Sequence, residues 1–331
     1  MKVIHQCSLI SLILCAVLFA RCQPVGAQQP RMARVGLLIA GSPTSMATRV
    51  DATRQGLRDL GYIEGQNVVI EIRYSVGKLD RIPALAAELI QAKSDVIVTY
   101  TTSVTKEARK ATTNIPIVMA GGGEDPVRDG LIASYARPGG NVTGLTSINH
   151  ELTGKQLELL KEAFPKVSRI AALWNPEAPG PIGGFEVLRK AAPALEIKIQ
   201  SFEVRKADEL ERVLVGVATS GVDALFVLSH PVVNINRLKV IGYADKTKLP
   251  AIYPERRWAE DGGLMTYGTD VLTIARRAAV FVDKILKGAE PAELPVERPT
   301  TFELVINLRT AKQIGLTIPP NVLARADKVI R

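Results

Sequence analysis

Short apolar runs alternate with amphipathic stretches along almost the whole chain from residue 34 onward. The apolar runs have the length of buried strands, and the amphipathic stretches carry apolar residues at helical spacing. This alternation is typical of parallel β-sheets covered by helices. Aromatic residues make up only 5% of the chain, which fits a core of Val, Ile, Leu and Ala. The sequence therefore predicts an α/β fold.

The alternation pauses once, so we predict two sets of β/α units. The first set extends from a strand at residues 34–40 to a strand at residues 115–120. Residues 121–126 and 137–143 are rich in Gly, Pro and other turn-forming residues, and they separate the sets. The second set has its first strand at residues 169–174. Two Rossmann-like lobes with parallel sheets follow from this pattern.

The predicted first lobe comprises residues 34–121 and about 252–290. The second comprises about 122–251 and about 291–331, with a helical segment at residues 322–330. Open parallel sheets bind ligands at the carboxyl ends of their strands, and two such edges in one chain face each other. We therefore expect a ligand cleft between the lobes and closure about a hinge.

The first 27 residues have the three parts of a secretory signal peptide. Lys2 supplies the positive charge, residues 8–20 form an apolar run, and Ala27 ends a stretch of small residues before the expected cleavage site. The run is shorter than the roughly 20 residues of a membrane span, which argues against the alternative of a single-pass anchor. We expect no lipid on Cys22, because Arg21 stands where lipid attachment needs a small residue. The predicted location is the periplasm.

Composition excludes several classes of function. All three cysteines lie in the first 22 residues, so the body of the protein has no disulfide, no thiolate nucleophile and no Cys-ligated metal. The net charge is +9, but Lys and Arg are dispersed rather than clustered as nucleic-acid binding requires. We expect no nucleic-acid partner.

Catalytic motifs are missing from the sequence as well. There is no Walker A motif, no G-x-G-x-x-G after the first strand and no G-x-S-x-G elbow. His150 and His230 lack the spacing of a zinc site. We therefore expect no enzyme activity, metal or cofactor. An enzyme on a two-lobed frame and a sensory accessory binding protein remain the alternatives. A transcriptional regulator would need a DNA-binding segment where the signal peptide stands.

A resemblance to a known family extends over nearly the whole chain after the signal peptide. It is carried by residues 56–74, 82–90, 115–146, 151–176 and 281–330. These stretches resemble the substrate-binding proteins of ABC importers in the ABC-sub-bind group, often called tryptophan/tyrosine-type. One departure is Thr101-Thr102-Ser103-Val104, where relatives often have a Thr-Pro-Ala-like turn.

The resemblance implies a periplasmic binding protein fold of type I, with two lobes joined by three crossovers. It also implies a membrane permease and an ATPase as partners. The expected function is the capture of a small solute, amino-acid-like or aromatic, by a monomeric periplasmic protein that closes about a hinge.

The candidate ligand-binding residues lie in the loops that follow the predicted strands. They are Ser42, Thr101, Thr102, Ser103, Asp125, Asn175, Ser229 and Tyr253. Thr102 and Ser103 open a helix and suit a carboxylate, Asp125 could pair with an ammonium, and Tyr253 could stack on a flat group. The alternatives are helix capping for the hydroxyls and for Asp125, and a place in the core for Tyr253.

Overall fold

Two β-sheets organise the fold of this chain. The structure, a computed structural model, describes residues 32–122 and 125–331, of which Ala33–Arg331 belong to one compact unit. The predicted signal peptide, its three cysteines, Gly123 and Glu124 lie outside the described residues. The prediction of an α/β fold with two lobes and mainly parallel sheets is confirmed.

The strands follow one another in both halves of the chain. They are β1 (Ala33–Ile39), β2 (Val68–Tyr74), β3 (Val96–Thr99), β4 (Ile117–Ala120), β5 (Val142–Leu145), β6 (Arg169–Trp174), β7 (Lys198–Glu203), β8 (Ala224–Val227), β9 (Ala251–Tyr253), β10 (Met265–Thr269), β11 (Phe302–Asn307) and β12 (Lys328–Ile330).

Helices connect most of these strands. They are α1 (Pro43–Asp59), α2 (Ile82–Gln91), α3 (Thr102–Ala111), α4 (Asn149–Ala163), α5 (Pro179–Ala191), α6 (Leu210–Thr219), α7 (Pro231–Ile235), α8 (Arg237–Thr247), α9 (Arg256–Glu260), α10 (Val271–Leu286), α11 (Leu308–Gln313) and α12 (Pro320–Leu323).

The first lobe is built on a five-stranded parallel sheet in the order β2-β1-β3-β4-β5. The central strand β1 is buried from Val35 to Ile39, as expected for a strand covered by helices on both faces. Helix α10 comes from the far end of the chain and packs against α1. Gly56 permits this close approach, because a Cβ there would lie 2.2 Å from the carbonyl oxygen of Arg276.

The second lobe is built on a seven-stranded sheet in the order β12-β11-β10-β9-β8-β6-β7. All neighbouring strands are parallel except β10 and β11, which pair antiparallel. The side chains of Ile170, Phe226 and Ile306 lie in the core beneath this sheet, together with residues of α4 and α5.

The chain passes between the lobes at three places: after β5, after β10 and before β11. These crossovers lie side by side. The hydroxyl of Thr269 donates to the carbonyl oxygen of Ser147 at 3.4 Å, and the amide of Thr146 donates to the carbonyl oxygen of Glu297 at 3.0 Å. A bundle of three adjacent segments is a suitable place for a hinge.

Sheet membership departs from the predicted lobe boundaries. Strand β5 belongs to the first sheet, although residues 122–251 were expected in the second lobe. Residues 252–290 were expected in the first lobe, but β9 and β10 belong to the second sheet. Helix α10 is the part of this segment that packs on the first sheet. Leu145 also bridges to Glu297, which brings that part of residues 291–331 to the first lobe.

Two local predictions were wrong. Residues 137–143 were expected to be a turn, but strand β5 begins at Val142. Gly144 in this strand has a φ of +118. In a sequence, a glycine usually indicates a turn, but here it lets β5 lie close to the backbone of Met119. Residues 322–330 were expected to be helical, and α12 does extend to Leu323. At the end of that range β12 forms instead, because it pairs with β11, a partner distant in sequence.

Candidate ligand-binding site

A cleft of about 840 Å³, part of it open to solvent, lies between the two lobes. The loops after β3, β4 and β5 form one wall, and the loops after β8 and β9 form part of the other. The carboxyl ends of the strands in both sheets thus face the same space, as predicted.

Thr101 and Ser103 lie on the first-lobe wall, at the start of α3. Thr101 is the N-cap residue, and its Oγ1 accepts a hydrogen bond from the amide of Val104 at 3.4 Å. The Oγ atoms of Thr101 and Ser103 are 3.2 Å apart. Thr101 therefore caps the helix, Ser103 is hydrogen-bonded to it, and both residues line the cleft.

Helices α4 and α5 begin at the cleft as well. His150 and Thr153 in the first turns of α4, and Gly180 and Pro181 in the first turn of α5, line the second-lobe side. Helix N-termini carry partial positive charge. With α3, three such termini meet at this space, which makes it a favourable environment for an anionic group.

An ion pair joins the lobes across the cleft. Nη2 of Arg49, on α1 of the first lobe, donates to Oε2 of Glu255, which follows β9 in the second. Their side chains are 16% and 9% exposed. The other carboxylate oxygen of Glu255 accepts from the hydroxyl of Ser229 at 3.5 Å, and Ser229 Oγ in turn accepts from Nδ2 of Asn234 at 3.2 Å.

His230 lies beside this network at the N-terminus of α7. The residue is 3% exposed, and burial lowers the pKa of its imidazole from the ordinary 6.5 to about 3. The ring is therefore neutral at physiological pH and offers one N–H donor and one acceptor nitrogen. Apart from His150 and His230, the ionisable Lys, Arg, Asp and Glu side chains among the described lining residues are Arg49 and Glu255, one cation and one anion.

The space continues past the Arg49–Glu255 pair into a second compartment of about 1210 Å³, also open to solvent. Arg257 of α9 lines it and donates to the carbonyl oxygens of Ser45 at 2.5 Å and Thr44 at 3.1 Å. These residues stand at the start of α1, so this is a second polar contact between the lobes.

Three predicted site residues cap local structure and do not line the cleft. Ser42 forms a reciprocal capping box with Ser45 at the start of α1. Oδ1 of Asp125 accepts from the amide of Val127 at 3.0 Å. Oδ1 of Asn175 accepts a hydrogen bond from the amide of Glu177 at 2.9 Å. For Ser42 the helix-capping alternative is the arrangement that the structure has. Asp125 caps a turn instead, because residues 125–141 contain no helix.

Thr102 and Tyr253 lie in the interior rather than on the cleft. Thr102 is 3% exposed. Tyr253 is 1% exposed and stacks on Trp258, with 4.9 Å between ring centroids. Burial raises the pKa of its hydroxyl. Tyr253 was expected to stack on a ligand, but its ring stacks on Trp258. Of the eight predicted residues, the structure brings Thr101, Ser103 and Ser229 together at the cleft.

The candidate residues did not include Arg49, Asn234 and Glu255, which the structure brings to the cleft. His230 belongs with Ser229 to the loop that was predicted to line the cleft. Glu255 follows the next predicted strand, so the rule that selected Ser229 would also have selected it. Arg49 lies in the second turn of a helix and has no such signal, because its position depends on the meeting of the two lobes.

The described residues contain no cluster of His, Asp or Glu side chains suited to a metal ion. They also include no helix with the length and apolar character of a membrane span.

Two α/β lobes, three crossovers and a cleft at facing carboxyl edges define a solute-binding protein of the periplasmic binding protein type I fold. The sequence model of the family "ABC transporter substrate binding protein" matches residues 34–330. The chain belongs to this family.

Known proteins of the same kind are similar to this chain. A tyrosine-binding protein of Clostridioides difficile (strain R20291) is 25% identical over 262 residues, which cover 79% of this chain and 75% of the relative. A conserved domain protein from Vibrio cholerae is 28% identical, with a TM-score of 0.84 and coverage of 90% and 100%. An ABC domain from Streptococcus pneumonia, solved in complex with L-Trp, is 28% identical, with a TM-score of 0.83 and coverage of 90% and 99%.

Proposed function

We propose that this protein is a periplasmic receptor that delivers an amino acid, specifically an aromatic one, to an ABC importer. The observation that carries the proposal is the pairing of Arg49 and Glu255 from opposite lobes on one cleft. A zwitterion matches a site with one cation, one anion and three helix N-termini, since each of its charges finds an opposite partner.

The relatives support the choice of ligand. One is named a tyrosine-binding protein and another was solved with L-Trp. We propose that Thr101 and Ser103, at the start of α3, face the ligand carboxylate. Glu255 and Ser229 then face its ammonium, and the apolar side chains of Val227 and Leu228 lie against the ring.

Closure about the three crossovers is the proposed mode of capture. Lobe closure excludes water and brings groups of both lobes onto one ligand. The permease and ATPase of the importer are the expected partners, and a monomer suffices because both walls of the cleft come from a single chain.

A thermal-shift screen of the purified protein tests the ligand class. A ligand that binds the folded state raises the melting temperature by mass action. We expect L-tryptophan or L-tyrosine to raise it in a concentration-dependent way, and D-ribose and adenosine to leave it unchanged. A rise with the sugar or the nucleoside and none with any amino acid would contradict the proposal. Turnover of a hit would favour the enzyme alternative.

Export has its own test. N-terminal sequencing of protein recovered from the periplasm is expected to start at Gln28. A start at Cys22 would show lipoprotein processing instead, and recovery of the intact N-terminus in the membrane fraction would show an anchor.

A further inference from the structure

Two buried polar groups on one wall of the cleft have unused hydrogen-bonding capacity. Among the described residues, neither ring nitrogen of His230 has a hydrogen-bond partner, and neither does Oδ1 of Asn234. Both residues line the cleft. Buried polar groups are nearly always paired in folded proteins, so unpaired groups on the wall of this cleft point to a partner supplied by the ligand.

The orientation of the Asn234 amide is fixed by its neighbours. Its Nδ2 donates to Ser229 Oγ at 3.2 Å, and Ser229 donates to Glu255. The NH₂ end of the amide is thereby occupied, and Oδ1 is the end that can accept a further hydrogen bond. Because Glu255 is itself held by Arg49 of the first lobe, this arrangement belongs to the conformation in which the lobes are in contact.

The group that fits this position is an uncharged donor. Asn234 is neutral, and burial keeps the His230 ring neutral by lowering its pKa to about 3. A ligand ammonium placed against two neutral groups would be buried without a counter-charge, which is costly. The charged groups of an amino acid are better served by Glu255, Arg49 and the helix N-termini, which leaves the side chain of the ligand to face Asn234 and His230.

The surroundings of the pair indicate what kind of side chain this is. Leu228, Pro231 and Pro181 line the same cleft and supply apolar surface. An O–H at the edge of a flat apolar group can donate to Asn234 Oδ1 and accept from the His230 N–H, whereas an indole N–H can donate to one of the two acceptors.

We propose that Asn234 Oδ1 and His230 form a subsite that reads the N–H or O–H on the ring of an aromatic amino acid. The cleft then prefers aromatic amino acids with a ring donor over those without one. This inference rests on the proposed function and deepens it by naming the feature of the ligand that is selected.

Isothermal titration calorimetry of the wild-type protein with matched ligand pairs is the test. The pairs are L-tyrosine with L-phenylalanine, and L-tryptophan with 1-methyl-L-tryptophan. In each pair only the first ligand has a ring donor. We expect the donor-bearing ligand to bind at least about tenfold more tightly, because the analogue leaves buried polar groups unpaired.

Asn234→Leu and His230→Phe remove the two groups separately. Each is expected to reduce the affinity ratio within a pair to about threefold or less. Tyr243→Phe is the matched control, since it also removes one buried hydroxyl but at a residue that does not line the cleft. It should keep the wild-type ratio.

Three results would overturn the inference. Equal affinities within both pairs in the wild type would do so while leaving the proposed function intact. A wild-type ratio preserved in both variants would remove these two residues from the role. Binding of no aromatic amino acid at all would overturn the proposed function and this inference together.

Discussion

Arg49 of the first lobe donates to the carboxylate of Glu255 in the second, and this pair divides the space between the lobes into two compartments. Both residues line both compartments. The contact therefore couples the relative position of the lobes to the groups that face a ligand. Ser229 and Asn234 are linked to the same carboxylate, so a change at Arg49 alters the recognition surface of the other lobe.

Arg49→Ala should weaken ligand binding by about 10- to 100-fold. The substitution leaves the largely buried Glu255 without its cation and removes a contact that holds the lobes together. Calorimetric titration with the best ligand of the screen measures the effect. Arg169→Ala is the control, because Arg169 pairs with Asp223 at the amino end of β6 and does not line the cleft. Equal affinities of wild type and Arg49→Ala would contradict the role of the pair.

Arg257→Ala should accelerate ligand release by roughly threefold or more. Its guanidinium donates to two main-chain oxygens at the start of α1, and we expect these contacts to break when the lobes separate. Stopped-flow displacement of bound ligand gives the dissociation rate. An unchanged rate would show that this contact persists during opening.

Gly144→Ala should destabilise the fold by about 3 kcal/mol or more, which corresponds to a fall in Tm of roughly 6 °C or more. Its φ is +118, and a Cβ would lie 2.3 Å from the carbonyl oxygen of Met119. Gly140→Ala is the matched control, since nothing lies within 4 Å of a Cβ there. Similar melting temperatures for the two variants would contradict the packing of β5 against β4.

His230 should make the folded state less stable as the pH falls below about 6.5. Burial lowers its folded pKa to about 3, so only the unfolded chain takes up a proton between these values. The contribution is absent above about pH 7 and reaches about 1 kcal/mol of lost stability by about pH 5.5. Urea unfolding at the two pH values, for wild type and His230→Gln, measures it. The variant should lose less stability, and an equal loss would place His230 in a more exposed environment.

The alternation of apolar and amphipathic stretches was sufficient to predict the two lobes and the cleft, because strand and helix periodicity is local information. It was insufficient for β5 and β12, which are short strands stabilised by pairing with distant ones. Ser229 was identified because it lies in the loop after a predicted strand, and Glu255 could have been identified in the same way. The same reasoning gave Tyr253 the wrong environment, since a residue at the end of a strand can point into the core as readily as into the cleft.

The pairing of Arg49 with Glu255 was beyond the reach of sequence patterns. Arg49 and Glu255 are 206 positions apart in the chain, and their contact exists because two separately formed sheets present facing edges. Helix capping was easier to foresee, since Ser42 and Thr101 have partners three residues further along.

Equilibrium dialysis of the purified protein against radiolabelled L-tryptophan is the most direct test of an amino-acid site between the lobes. We expect saturable retention of one equivalent per chain, displaced by excess unlabelled L-tyrosine but not by D-ribose, and reduced in Arg49→Ala. Failure to retain the label, together with retention of labelled D-ribose, would contradict an amino-acid site between the lobes.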